Sequence, residues 1–507
     1  MRDRSAASVA PFDLWRSTMM ANSSRDPFWR AAIDAEMSAT PAAADEIAHE
    51  CLNCHAPLAH AVGLEDHGSG DPLHALDCDG DLGALAQDGV SCTICHGISS
   101  NGLGTPDSFN GGYELNPERK LYGPHQDPFT GPMLRHSGFE PAYGEHITDS
   151  ALCATCHTLV TDTRDANGEA TGSHLHEQAV YLEWRNSSFG APTESGGRTC
   201  QDCHVPRSSK SGSKIRTQLA RNPAGFDFGF VEKRSPFGRH LFVGGNTLML
   251  TMLRDFADEL DATAPPEAFD ATIAATREQL MGRTASLTVS EPQTSEGKLR
   301  FDITVQNLTG HKLPTGHPSR RMWLEVVVFD AEGAEVFASG RCDDAGRILS
   351  AAGDVLPSEK KGGPVEPHRA QVTGLDQVPR YRSVMANSEG RVAHLQSRAA
   401  GWLVDDRILP RGWSSEHPDA LHTGPVAVQG DPDYAPEGAA LGQDTVSYRV
   451  PVGGNAPYRI KARLLYQSVS PRWADELTAY DTPAIQRFTR MYADMARGPE
   501  VLATAER

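Results

Sequence analysis

The spacing of apolar positions changes along the chain. From about residue 283 onward it alternates: Phe301, Ile303 and Val305 are separated by polar residues, as are Leu324, Val326 and Val328, and later Tyr458, Ile460, Ala462, Leu464 and Tyr466. A period of two is that of a strand with one buried face, so this region is expected to be a β-rich domain, most simply a sandwich. Before it, Leu248, Leu250, Met252, Leu253 and Phe256 suit an amphipathic helix over 246–260, and a second helix is predicted over 266–281, begun near a proline. The stretch 346–443 is rich in Gly, Pro and Asp and should be mostly loop with short strands. A last helical pattern, 482–495, should dock on another surface. No run of eighteen apolar residues occurs, so no membrane-spanning helix is expected.

Length and charge narrow the picture. The 507 residues suggest two or three domains, and 66 acidic against 47 basic residues give a formal charge of -19. Such a surface argues against nucleic-acid binding and favours a protein partner with a basic docking face.

The cysteines decide the chemistry. Eight of the ten fall in four C-x-x-C-H strings: Cys51-Leu-Asn-Cys54-His55, Cys92-Thr-Ile-Cys95-His96, Cys153-Ala-Thr-Cys156-His157 and Cys200-Gln-Asp-Cys203-His204. This is the pattern of c-type haem attachment. Two thiols a turn apart add to the two vinyl groups of one porphyrin, and the following histidine is held beneath the iron as proximal ligand. Zinc would need two C-x-x-C units converging on one tetrahedral site, and the fixed histidine after every pair suits it poorly. A thioredoxin-like motif would occur once on a βαβ unit, and a disulfide framework would not repeat one tight spacing four times. Four covalently attached haems are therefore expected, with Cys78 and Cys342 as spare thiols.

The far side of each iron also needs a ligand. Of the 20 histidines, ten besides the four proximal ones lie between His49 and His240. His136, His146 and His240 are the expected distal ligands. For the remaining position His60, His49, His67, His74, His125, His174 and His176 stay open, as do Met19 and Met20, although methionines in such a segment are more often core residues.

The stretch from Trp15 to Phe242 resembles the tetrahaem domain of the multihaem cytochromes grouped with cytochrome c-554. The resemblance rests on Trp-Arg-Ser-Thr-Met-Met-Ala-Asn-Ser-Ser-Arg-Asp-Pro-Phe-Trp around Met19, Asp-Gly-Val-Ser-Cys-Thr-Ile-Cys-His ending at His96, and Leu-Cys-Ala-Thr-Cys-His-Thr-Leu around His157. Glu177-Gln-Ala-Val-Tyr-Leu-Glu-Trp184 and the string ending at His204 continue it, so that it covers somewhat under half of the chain. It implies electron transfer through closely stacked, mostly bis-histidine haems outside the cytoplasm. Residues 1–11 carry two arginines but no apolar stretch after them and do not read as a secretory signal. The expected location, periplasmic or extracellular, therefore implies a mature form or a start placed too far downstream.

The expected architecture is α+β and multidomain: a haem-packed domain of helices and loops over 1–245, a helical connector over 246–283, a sandwich-like β domain over 284–470 and a helical tail over 471–507. One β-domain segment stands apart, Asn307-Leu-Thr-Gly-His311-Lys-Leu-Pro-Thr-Gly-His317-Pro-Ser-Arg-Arg-Met-Trp323. Similar Gly-His-Lys-Leu-Pro-Thr-Gly loops follow cytochrome domains in some large multihaem proteins. His311 either reaches a haem across the domain interface, as distal ligand or over an open iron, or belongs to a polar loop with its imidazole bonded to backbone. Arg320 and Arg321 suit haem propionates or ordinary surface ion pairs.

Two functions are compatible with this. With four six-coordinate irons the protein is an electron carrier without a substrate. With one open iron it is an oxidoreductase for a small nitrogen or sulfur oxyanion, with His311 or Arg320 as proton donor or electrostatic stabiliser. The surplus of histidines and the lack of any C-x-x-C-K variant or separate acid-base motif favour the carrier. An oligomer or haem filament stays open.

Overall fold

In the computed structural model, residues 1, 3, 8–62, 73–209, 211–222, 224–428, 430–436 and 438–507 are described, and His67 lies outside them. The chain gathers into two units, each discontinuous in sequence. One comprises Met1–Ile33, Ala43–Leu159 and Arg198–Ala275, the other Asp34–Ala42, Val160–Gly197 and Thr276–Arg507. No helix among the described residues is long and apolar enough to cross a membrane.

The first unit is built from short helices, among them Ala44–His55, Asp81–Gln87, Cys92–Gly97, Ser150–His157, Cys200–His204 and Thr247–Asp255. Two four-residue strands, β1 (Lys120–Gly123) and β2 (Glu140–Tyr143), pair in parallel. The helix Thr247–Asp255 is the one read from the apolar spacing. Asn246 caps it by accepting a hydrogen bond from the Met249 amide at 3.2 Å, and it buries Met249, Leu250, Met252 and Leu253. The second predicted helix runs from Pro266 to Arg283.

In the second unit β3 (Thr158–Arg164) and β4 (Ala170–Ala179) pair with each other. Then follow β5 (Ala285–Val289), β6 (Gln293–Ser295), β7 (Lys298–Asn307), β8 (Arg321–Phe329), β9 (Glu335–Ser339), β10 (Gln371–Val372), β11 (Arg380–Ala386) and β12 (Val392–Ala393). The last four are β13 (Gly401–Asp405), β14 (Gln443–Pro451), β15 (Arg459–Gln467) and β16 (Glu500–Glu506). One sheet runs β10-β14-β7-β5 with β6 on β7; the other runs β12-β11-β8-β15-β16 with β9 on β8 and β13 on β11. The alternating residues of the sequence meet in register: Phe301 lies opposite Tyr448 and Ile303 opposite Val446, while Leu324 faces Leu464 and Val326 faces Ala462. All of them join one core shared by the two sheets, the two-layer arrangement that half-buried strands require.

Three features depart from the expected layout. Residues 160–197 belong to the second unit. The final residues form β16, antiparallel to β15, and bury Leu502 in the shared core, so the tail is only partly helical. Its helix, Pro483–Asp494, is capped by Thr482 and buries Ile485, Phe488, Met491 and Tyr492. Strand β8 is buried on both faces, because Ile348, Leu356 and Val378 from the loop-rich middle cover Trp323 on its outer side.

Buried charge explains where residues 160–197 go. Lys312 is fully buried, and its Nζ donates to Asp405 Oδ2 at 2.7 Å and to the Gly424 carbonyl at 3.1 Å. Arg407 donates to both oxygens of Asp405 (2.8 and 2.7 Å) and to Glu183 Oε1 at 3.0 Å. Glu183 Oε2 accepts from the Lys312 amide at 3.0 Å and from the Thr315 hydroxyl at 2.6 Å. Two carboxylates balance two cations, so each charge has the partner that burial demands. Burial lowers the pKa of Lys312. Burial also opposes the Asp405 carboxylate, but Arg407 and Lys312 outweigh it and hold its pKa below the usual value. The Gly-His-Lys-Leu-Pro-Thr-Gly loop is thus an anchoring point of the second unit.

Lys312→Met should destabilise this unit by about 3–5 kcal/mol, because it strips one cation from two buried carboxylates; chemical denaturation measures it. Glu177, on β4, gives a pH signature. Burial pushes its carboxyl up to about 8, Glu36 adds to the shift, and the side chains of Gln178 and Gln396 oppose it. The folded form therefore holds a proton that the unfolded form releases. The resulting stability is complete below pH 4.5, the unfolded value, and is lost as pH rises through 8. Relative to the wild type, Glu177→Gln should gain stability between those values, by at most ~1.4 kcal/mol per pH unit. Denaturation midpoints from pH 5 to 9 that ran parallel in the two proteins would refute the assignment.

Candidate functional site

Each C-x-x-C-H string lies in a short helix, at the end of Ala44–His55, Ser150–His157 and Cys200–His204 and in the body of Cys92–Gly97. One helical turn brings residues i, i+3 and i+4 to a common face, so two thiols and an imidazole leave each helix together. Side-chain caps help to set two of these short helices. Asp149 Oδ1 accepts from the Ala151 amide at 2.8 Å, and Thr199 and Asp202 form a reciprocal capping box at 3.3 and 3.0 Å. The four strings also converge. Cys54 and Cys156 are close enough to shift each other's titration, as are Cys153 and Cys200. Burial, Cys156 and Cys92 together push Cys95 up to about 12.

The motif imidazoles are oriented by backbone. His55 Nδ1 lies 3.2 Å from the Ser23 carbonyl, His96 Nδ1 2.5 Å from that of Tyr122, and His204 Nδ1 2.9 Å from that of Val243. A carbonyl oxygen only accepts, so the proton sits on Nδ1 and the lone pair on Nε2. Burial lowers the pKa of all three, that of His55 to about 4, and keeps the rings neutral. A neutral imidazole with its second nitrogen tied back is the form in which histidine binds a metal, so the residues present fit haem iron. His157 ends its helix and adds to the lowering at His55.

Among the expected distal ligands, His240 lies near His96. Their ring centres are 6.3 Å apart with planes inclined by 29°. Two metal–nitrogen bonds of ~2 Å, with each ring centre about 1 Å beyond its nitrogen, put two imidazoles about 6 Å apart across one metal. The His240 ring is tied at Nδ1 to the Gly238 carbonyl, 3.2 Å away, and burial with His96 nearby lowers its pKa to about 4. His146 has the opposite polarity. Its Nε2 lies 2.9 Å from the carbonyl of Ile98, just past the second string, which leaves the lone pair on Nδ1. A Cβ on Gly144 would come within 2.6 Å of that ring, so the glycine makes room for it.

The other candidates scatter. His136 is exposed on the helix Gly131–Ser137, and His60 meets His49 edge to face at 5.7 Å. His74 lies in the turn His74–Leu76, and His125 is partly buried. Met19 and Met20 are half-buried in the first unit. His174 and His176 belong to the second unit, where His176 stacks on His422 at 3.6 Å. His311 lies there too, with Nδ1 2.9 Å from the Lys312 carbonyl and 3.2 Å from Thr309 Oγ1. Arg321 is buried against Glu359 at 2.7 Å and Gln467 at 2.9 Å, so its donors serve the interior rather than a surface pair.

Two aromatic residues of the site went unread in the sequence. Trp29 stacks on His55 with ring centres 4.4 Å apart and planes within 3°. Tyr113 bonds through its hydroxyl to the Asn53 carbonyl at 3.1 Å, inside the first string, and burial with Cys156, Cys54 and Cys95 raises its pKa. Trp29 ends the segment of the resemblance that contains Met19, which was its only signal.

No protein-family model and no curated protein matches the chain. A solved structure does: a penta-haem cytochrome c552 from Thermochromatium tepidum, with a TM-score of 0.51 over 98% of this chain and 95% of that one. The two chains are similar in fold. At 16% identity the likeness is one of fold alone. The solved protein is named for five haems, whereas this chain has four C-x-x-C-H strings.

Proposed function

We propose that the chain is a tetrahaem c-type cytochrome, of the kind grouped with cytochrome c-554, that carries electrons between redox partners outside the cytoplasm. The observation that supports this most directly is the separation of the His96 and His240 ring centres, 6.3 Å, which matches that of two imidazoles sharing one iron. In this reading the four cysteine pairs form thioethers and His55, His96, His157 and His204 are proximal ligands. His240 completes the coordination opposite His96, His146 binds through Nδ1, and His136 and His60 supply the remaining distal positions.

Each attached haem supplies a one-electron redox centre. The chain's own work is to space and shield these centres. Cysteines of different strings lie near one another, which brings neighbouring attachment points together, and burial of the imidazoles keeps water from the ligands. The charge of -19 favours a donor or acceptor with a basic face.

Haem content measured by mass and pyridine haemochrome on exported protein should fall from four to three when Cys153 and Cys156 are both changed to alanine. A count that stayed at four would defeat the attachment scheme. Low-temperature electron paramagnetic resonance should find every iron of the oxidised protein low-spin, and His240→Ala should turn one high-spin while the count stays at four. A high-spin signal in the wild type that shifts with nitrite, hydroxylamine or sulfite would replace the carrier with an oxyanion-handling enzyme.

A further inference from the structure

The loop-rich middle of the second unit gathers a buried set of acids around one histidine. Asp406 and Asp444 are completely buried and Asp431 is 3% exposed; His368 lies among them with its side chain 6% exposed. One ligand atom each from His368, Asp431 and Asp444 lies within 4.8 Å of the others. His368 Nε2 is 2.8 Å from Asp431 Oδ2, and its Nδ1 is 3.8 Å from Asp406 Oδ2.

Each carboxylate has one oxygen fixed by a backbone amide or a hydroxyl. Asp406 Oδ1 accepts from the Arg382 amide at 2.7 Å, Asp444 Oδ2 from the Tyr381 hydroxyl at 2.6 Å, and Asp431 Oδ1 from the Asp433 amide at 2.9 Å. That is how a protein orients metal-binding carboxylates from behind. Asp406 Oδ2, Asp444 Oδ1 and His368 Nδ1 are buried without a hydrogen bond, the first and last of them 3.8 Å apart. Buried polar groups are rarely left so, and the three unsatisfied atoms converge on one small space. Among the described residues no lysine or arginine side chain is recorded in a hydrogen bond or ion pair with these three carboxylates.

We infer that His368, Asp431 and Asp444, with Asp406 beside them, bind one divalent cation. The imidazole in the donor set selects a first-row metal such as Zn²⁺ or Mn²⁺ over Ca²⁺ or Mg²⁺, which prefer oxygen alone. The cation clasps the segment before β10, the end of β13 and the loop before β14 to the sheets. It stands apart from the haem chemistry and does not depend on it.

Elemental analysis of the purified, haem-loaded full-length protein should find about one equivalent of zinc or manganese beyond haem iron. Chelation should lower the melting temperature, and stoichiometric Zn²⁺ or Mn²⁺ should restore it. Asp444→Asn, and independently Asp431→Asn, should weaken binding of the added ion by roughly a hundredfold or more while haem content stays the same. Protein that held no such metal and gained no stability from either ion would overturn the site. Unchanged affinity in a variant that folds and carries its haems would do so equally, and one equivalent of calcium in place of either ion would overturn the assignment of the metal.

Discussion

Four buried charges hold the second unit in the form it has. Lys312 and Arg407 face Asp405 and Glu183 in an interior where none could remain ionised alone. The need to satisfy them brings together residues that are 129 and 224 positions apart. Because Glu183 sits in 160–197, that segment joins the β sheets instead of the strings on either side of it. The unit boundaries therefore follow electrostatic closure as well as hydrophobic burial, and a loop that reads as punctuation between two strands becomes an anchor.

The first unit rests on a different constraint. Most of its helices are short, and Val9, Ile215 and Phe237 form one of its apolar clusters. What its sequence does specify is the direction of side chains: thiols and imidazole on one helical face, and rings turned by carbonyls that can only accept. Three backbone oxygens, of Ser23, Tyr122 and Val243, set the proton of His55, His96 and His204 and thereby aim the free nitrogen.

How far the sequence was legible follows from the range of each interaction. The strands with Phe301, Leu324 and Ile460 were readable because one buried face imposes a period of two over a few residues. The strings ending in His55, His96, His157 and His204 were readable because their chemistry fits within five positions. Strand β16 was not, since its pairing with β15 is decided by the partner's edge and by Leu502 filling the core. The choice among distal histidines was open for the same reason. His240 and His96 are far apart in the chain, and only the fold sets their rings 6.3 Å apart, whereas His176, one of the alternatives left open, lies with His422 in the other unit.

The same argument bears on the Gly-, Pro- and Asp-rich middle of the second unit. Such composition ordinarily denotes solvated turns, yet Asp405, Asp406, Asp431 and Asp444 there are among the most buried residues of the chain. Carboxylates pushed inward cost free energy unless something positive meets them, and the chain meets them in two ways. Asp405 is answered by side chains, Lys312 and Arg407. Among the described residues, Asp406, Asp431 and Asp444 meet His368 but no lysine or arginine side chain, and one oxygen each of Asp406 and Asp444 is buried without a hydrogen bond. A loop region can be ordered by charge in place of apolar bulk, but only if the charge is closed. In the second case the inferred cation supplies that closure from outside the chain.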